Sequence, residues 1–265
     1  MKQLPLSNEN KIELLAFANQ LADTSRNIIL NALANPIEFE TKSDSSPVTI
    51  IDQNVEQALR ELIHANYPEH GILGEEYASE NLDADYVWVI DPIDGTKAFI
   101  TGMPIYGTLI SLTYQGAPFL GIIDHPITNE RWQAIDGETT TYNSKPITVR
   151  QGLNLSDAIV SIGNPDSLSA GEFNAFKQLR NATKWGIYGG NCYIYGRLSM
   201  GQADISLDSG LDPFDYCALS VVVRNAGGIM TDWEGKPLTI YSGHRVIACG
   251  DKTIHAEAIK ILANA

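Results

Sequence analysis

Residues 86–96 read Tyr-Val-Trp-Val-Ile-Asp-Pro-Ile-Asp-Gly-Thr, an unbroken apolar run that ends on two carboxylates. The β-branched and aromatic side chains of 86–90 predict a buried strand that leaves the core at Asp91. Pro92 fixes φ and cannot continue a ladder, so the chain is expected to turn there and bring Asp91, the Ile93 carbonyl and Asp94 to one point. Three hard oxygens suit Mg²⁺ or Ca²⁺ rather than zinc or copper, because no His or Cys lies close by in sequence. Gly95 lets backbone N–H groups approach an anion, and Thr96 can cap a following helix while offering its hydroxyl to a metal-bound water. The implied chemistry is a phosphate site beside a divalent cation. A plain acidic turn would also use Asp, Pro and Gly. It would not need two acids directly after an apolar strand, where unneutralised carboxylates are costly.

The rest of the chain can support such a site. Its 265 residues are 44% hydrophobic, enough for a sizeable core. A formal net charge of -14 argues against nucleic-acid and anionic-membrane partners, so a phosphorylated small molecule would depend on bound cations. No charged and apolar leader and no membrane-length apolar run is found, which leads to the expectation of a soluble cytoplasmic protein. Cys192, Cys217 and Cys249 lack any Cys-x-x-Cys spacing and read as small buried hydrophobes. The five histidines show no ligand spacing either.

In chain order, Ser7 or Asn8 caps a long helix to about residue 33. A polar stretch over 41–47 reads as a mobile flap, and Thr49 caps a second helix with Asp52 in its first turn. Asp52 is accounted for by the helix dipole alone unless it faces the metal. A strand over 71–74 runs directly into Glu75 and Glu76, and Glu75 can complete the coordination begun by Asp91 and Asp94. Three apolar or alternating segments between 105 and 135 predict an antiparallel meander, and from 146 onward strands alternate with helices. The expected division is an N-terminal α+β half, 1–145, packed tightly on a C-terminal α/β half, 146–265, with the site in their cleft. Asp212 and Asp215 flank Pro213 at a helix start. Capping accounts for one of them, and Asp215 is the less necessary.

Gly74-Glu75-Glu76, then Asp91-Pro92-Ile93-Asp94-Gly95-Thr96, then Asp215, preceded by Lys42 and Pro47-Val48-Thr49-x-x-Asp52, resembles the inositol monophosphatase family of Mg²⁺-dependent, lithium-sensitive phosphatases. The resemblance spans nearly the whole chain. It implies an α+β, α/β fold, the layered αβαβα sandwich of that family, and a homodimer. It implies two or three Mg²⁺ ions on Glu75, Asp91, the Ile93 carbonyl, Asp94 and Asp215, and phosphate held by Gly95, Thr96 and Asp94. Thr96 and Asp52, with Glu75 beside them, would form the catalytic set that orients and deprotonates the attacking water, with no phospho-enzyme. A second ion would stabilise the leaving alkoxide. The flanks Lys97-Ala98-Phe99-Ile100-Thr101-Gly102, Tyr106-Gly107-Thr108-Leu109 and Glu130-Arg131-Trp132 are similar to the histidinol-phosphatase branch. That similarity implies histidinol phosphate as substrate, with Asn191 and Asp208 facing it and Asp208 receiving its amine. Inositol 1-phosphate and a 3',5'-bisphosphate nucleotide are the alternative substrates, and a phospholigand-binding module without turnover is the alternative from another class.

Overall fold

The computed structural model describes residues 6–34, 37–41 and 47–263. Helix α1 (Asn8–Ala32) is followed by the short antiparallel pair β1 (Phe39–Thr41) and β2 (Pro47–Thr49), and then by α2 (Ile50–Asn66). Strands β3 (Gly71–Gly74) and β4 (Tyr86–Asp94) run parallel. After the short helix α3 (Thr96–Ile100) come β5 (Gly107–Tyr114), β6 (Ala117–His125), β7 (Glu130–Ile135), β8 (Thr141–Tyr142) and β9 (Lys145–Pro146). Together β3 to β9 form a seven-stranded sheet in sequence order, so the meander pairs antiparallel from β4 onward. The remaining elements are β10 (Ile159–Ile162), α4 (Ala170–Ala182), β11 (Trp185–Tyr188), α5 (Asn191–Ser199), β12 (Ile205–Asp208), α6 (Pro213–Asn225), β13 (Ile229–Asp232), β14 (Val246–Cys249) and α7 (Lys252–Ala263). Their strands make a mixed five-stranded sheet in the order β11-β10-β12-β14-β13.

Local chemistry sets the helix starts. The Ser7, Thr49 and Ser169 hydroxyls each accept from backbone N–H groups of the first turn, so otherwise orphaned donors are satisfied at the starts of α1, α2 and α4. Of the stretch predicted as a flap, 41–47, Thr41 ends β1 and Pro47 begins β2, while 42–46, Lys42 among them, lie outside the described residues.

Strand periodicity then stacks the layers. In β4, Trp88 and Ile90 face α1 and α2, packing with Phe17, Leu21, Val55 and Leu59. Val89 faces the other way, into a cluster with Cys192, Tyr195 and Leu198 of α5 and Tyr216, Val221 and Val222 of α6. The same cluster takes in Met230, Val246 and Ala248, so α5 and α6 lie between the two sheets. The far face of the five-stranded sheet is covered by Phe176 and Leu179 of α4 and Ile254 and Ala258 of α7. The result is the αβαβα sandwich. A strand buried on both faces has no reason to alternate, which explains the continuous apolar run of β4. Among the described residues no helix is long and apolar enough to cross a membrane.

One boundary differs from expectation. The strand predicted to stop at Ile90 continues to Asp94, with a register shift between Asp91 and Asp94 opposite β5. Pro92 contributes no N–H, but its carbonyl accepts from the Thr108 hydroxyl at 2.8 Å, and the ladder resumes where Asp94 pairs with Gly107. Pro92 thus marks an irregularity within the strand instead of its end.

The middle layer sits close. A Cβ at Gly121 in β6 would stand 2.5 Å from the backbone oxygen of Ala218 in α6. Gly121→Ala is expected to destabilise the protein by roughly 1–3 kcal/mol through overpacking. The midpoint of denaturant unfolding reads this, and an unchanged midpoint would contradict the close approach.

Candidate metal and phosphate site

The irregular end of β4 sits where three elements meet. Asp91 lies two residues beyond Val89, on the α6 side of the sheet, while the Ile93 side chain is buried with the opposite cluster and anchors the segment. Pro213 opens α6 and brings Asp215 into its first turn. Carboxylate oxygens of Asp91, Asp94 and Asp215 thereby lie within 4.8 Å of one another. Asp94 Oδ2 accepts the Cys192 backbone N–H at 2.7 Å, at the start of α5.

The electrostatics of this trio are strained. Burial, and then the charges of Glu75, Asp94, Asp215 and Asp52, push the Asp91 carboxyl well above the usual range. Burial followed by the charge of Asp94 does the same to Asp215, and burial raises Asp94. Asp52 is fully buried, and its carboxyl rises from the ordinary 3.8 to about 6, chiefly through burial. Thr49 backbone N–H and hydroxyl both donate to Asp52 Oδ2. The buried oxygens Asp52 Oδ1 and Asp91 Oδ1 have no hydrogen-bond partner. Hard oxygen donors only, mutual repulsion and orphaned lone pairs are the signature of a site completed by a hard divalent cation, and Mg²⁺ fits.

Beside the trio, and lined in part by it, is a cavity of about 150 Å³ bounded by Asp94, Asn191, Cys192, Tyr195, Asp208 and Asp215. Asp208 is 5% exposed. Its Oδ1 accepts from Gly163 N–H at 2.8 Å and its Oδ2 from the Tyr195 hydroxyl at 2.7 Å. Burial raises its carboxyl to about 6. Asn191, at φ 44, lays its carboxamide against Gly95, where an added Cβ would stand 2.6 Å from Asn191 Nδ2. Gly95 itself has φ 84, a left-handed conformation that favours glycine.

The residues expected from sequence therefore divide. Asp91, Asp94 and Asp215 converge tightly, and Asp94, Asp215, Asn191 and Asp208 share one cavity. Glu75 is not in the tight trio, although its charge is the largest electrostatic influence on Asp91. Two expectations need correction. Thr96 does not cap α3: Gly95 is the cap residue, and the Thr96 hydroxyl donates to the Ile93 carbonyl at 3.3 Å. Asp215 is not spare at its helix start, because its Oδ2 accepts Asp212 N–H at 2.6 Å. Sequence reasoning missed the Cys192 N–H, Gly163 and Tyr195. None carries a local signal, since each matters only through a partner distant in the chain.

These pKa directions fix a pH dependence. For Asp52 and Asp208 the folded values, about 6, lie above the unfolded 3.8. The native state holds protons that the unfolded chain has released in that window, so metal-free stability falls as pH rises through it. The carboxyls of Asp91, Asp94 and Asp215 are raised as well, and Mg²⁺ bound among them competes with their protons. The melting-temperature gain on adding Mg²⁺ is expected to be larger at about pH 8 than at about pH 5. Scanning calorimetry reads the difference, and an equal gain at both would contradict the carboxylate site.

A profile of the inositol monophosphatase family matches residues 10–265. The chain belongs to this family. Family members are phosphatases, so this chain is an enzyme that hydrolyses phosphate monoesters, with the metal dependence of the inositol monophosphatase family. It is 40% identical over 278 residues to the bifunctional phosphatase IMPL2, chloroplastic, of Arabidopsis thaliana, covering 98% of this chain and 80% of that protein. It is 30% identical over 239 residues to a histidinol-phosphatase of Chlorobaculum parvum, covering 89% and 92%. Among solved structures, an inositol monophosphatase from Zymomonas mobilis superposes with a TM-score of 0.88 at 37% identity, covering 97% of this chain and 100% of that one.

Proposed function

We propose that this phosphatase hydrolyses histidinol phosphate to histidinol and phosphate with two or three Mg²⁺ ions. The observation that carries the substrate choice is the buried Asp208 carboxylate in the cavity shared with Asp94 and Asp215, an acid suited to a cationic group beside the phosphate. The histidinol-phosphatase relative supports it, as do the flanks 97–102, 106–109 and 130–132. Glu75, Asp91, the Ile93 carbonyl, Asp94 and Asp215 would hold the metal. Bound there, Mg²⁺ would lower the pKa of the attacking water and neutralise the departing oxygen. Asp52 Oδ1, with no partner of its own, accepts the proton, and the Thr96 hydroxyl orients the nucleophile. Backbone N–H groups at Gly95 and Thr96 hold the phosphate, and Asn191 and Asp208 hold the remainder of the substrate.

The second reading is an inositol monophosphatase, favoured by the 37% identity to the Zymomonas mobilis enzyme. A panel of histidinol phosphate, inositol 1-phosphate and adenosine 3',5'-bisphosphate separates the two. Highest kcat/KM on histidinol phosphate is expected, and best turnover of either other compound would overturn the substrate. Tight binding of the panel with no phosphate release would instead favour a phospholigand-binding module. We also propose a homodimer on the family resemblance. A monomer in sedimentation at micromolar concentration would count against the dimer.

A further inference from the structure

Glu56 is a fully buried acid of α2 that the phosphatase reading leaves unused. It lies one helical turn after Asp52, on the same face. Its Oε2 accepts the Glu76 N–H at 2.8 Å, and its Oε1 accepts the Tyr77 N–H at 3.2 Å. Arg60, four residues on, binds Oε1 through Nε at 2.9 Å and Nη2 at 2.8 Å. The same guanidinium reaches Glu80 Oε1 at 2.7 Å and the Tyr77 carbonyl at 3.2 Å. The carboxylate also occupies the space next to Gly74, where an added Cβ would stand 2.0 Å from Oε1. A buried acid beside Glu75 could be taken for one more metal ligand, but its charge is matched by Arg60 and its oxygens are filled by N–H donors.

We propose that Glu56 is a positioning residue: it clamps the main chain on both sides of Glu75, through the missing side chain of Gly74 and the N–H groups of Glu76 and Tyr77, and so holds the Glu75 carboxylate toward Asp91. Helix α2 then sets Asp52 and Glu75 in one frame. The inference rests on Glu75 being a Mg²⁺ ligand.

The test measures Mg²⁺ binding by calorimetry and amide exchange at residues 76 and 77 in Glu56→Gln, Gly74→Ala and Glu75→Gln. A carboxamide has one accepting oxygen and its nitrogen only donates, so it cannot serve both backbone N–H groups, and Glu56→Gln is expected to weaken Mg²⁺ binding about tenfold or more, as loss of a supporting contact does. Exchange at 76 and 77 should quicken, and saturating Mg²⁺ should restore most of kcat. Gly74→Ala, which evicts the carboxylate, should reproduce this pattern, and should add no further loss in a Glu56→Ala background. Unchanged Mg²⁺ affinity in Glu56→Gln, or in Gly74→Ala where the first variant does not fold, overturns the clamp, as does additivity in the double variant. Glu75→Gln keeps the two claims apart. Unchanged affinity there removes Glu75 from the ligand set and the premise with it, whereas weakened affinity there with normal affinity in Glu56→Gln overturns positioning alone.

Discussion

Asp91→Asn is expected to abolish phosphate release while leaving the fold intact. Asp91 is 1% exposed, its Oδ1 has no protein partner, and its neighbours are the carboxylates of Asp94 and Asp215. The amide is nearly isosteric, so packing is kept, but the charged ligand is lost. Removing even an outer partner of a metal ligand costs roughly 10–100-fold, and loss of a ligand itself should exceed that. Stability should move the other way. Burial and four neighbouring acids already hold the Asp91 carboxyl well above its usual range, so the ionised form is a net liability to the metal-free fold. The melting temperature without Mg²⁺ should hold or rise, and the Mg²⁺-induced gain should disappear. Near-normal turnover at low Mg²⁺ would remove Asp91 from the site.

The second large effect concerns the choice of substrate. Asp208 is enclosed, so attraction to an ammonium group is less screened there than in water. In Asp208→Asn the amide oxygen can still accept from Gly163 N–H, while its nitrogen faces the Tyr195 hydroxyl, which can accept in turn. That local cost falls equally on every substrate. The charge is lost only to an amino-bearing one, so kcat/KM for histidinol phosphate should fall by roughly 1.5–3 kcal/mol more than for inositol 1-phosphate. Equal losses on both, or none on either, would show that Asp208 does not read the amine.

Most elements of the fold were legible because their signals are local. The long first helix, the strand over 71–74 and the alternation of strands and helices from 146 onward follow from periodicity and flanking residues, and Thr49 announces α2 as a cap. The end of β4 was misread because Pro92 was weighed as a breaker, whereas a partner strand on one side tolerates its missing N–H through a register shift. In the site, acids written close together in Asp91-Pro92-Ile93-Asp94 were easy to find, and Asp215 came from the resemblance. Glu56 was hidden by its setting. An acid between Val55 and Leu59 on a buried helical face is a signal, but its meaning appears only when the 74–77 backbone folds over it. The Cys192 N–H against Asp94 has no sequence signature, since any residue but proline there would supply it.

The most direct measurement is hydrolysis of histidinol phosphate in heavy-oxygen water, with and without Mg²⁺. Direct attack of water on phosphorus predicts that the label enters the released phosphate, that none enters histidinol, that no phosphorylated protein accumulates, and that release stops when Mg²⁺ is chelated. Label in the alcohol, a trapped phospho-enzyme, or release that persists without the metal would contradict it.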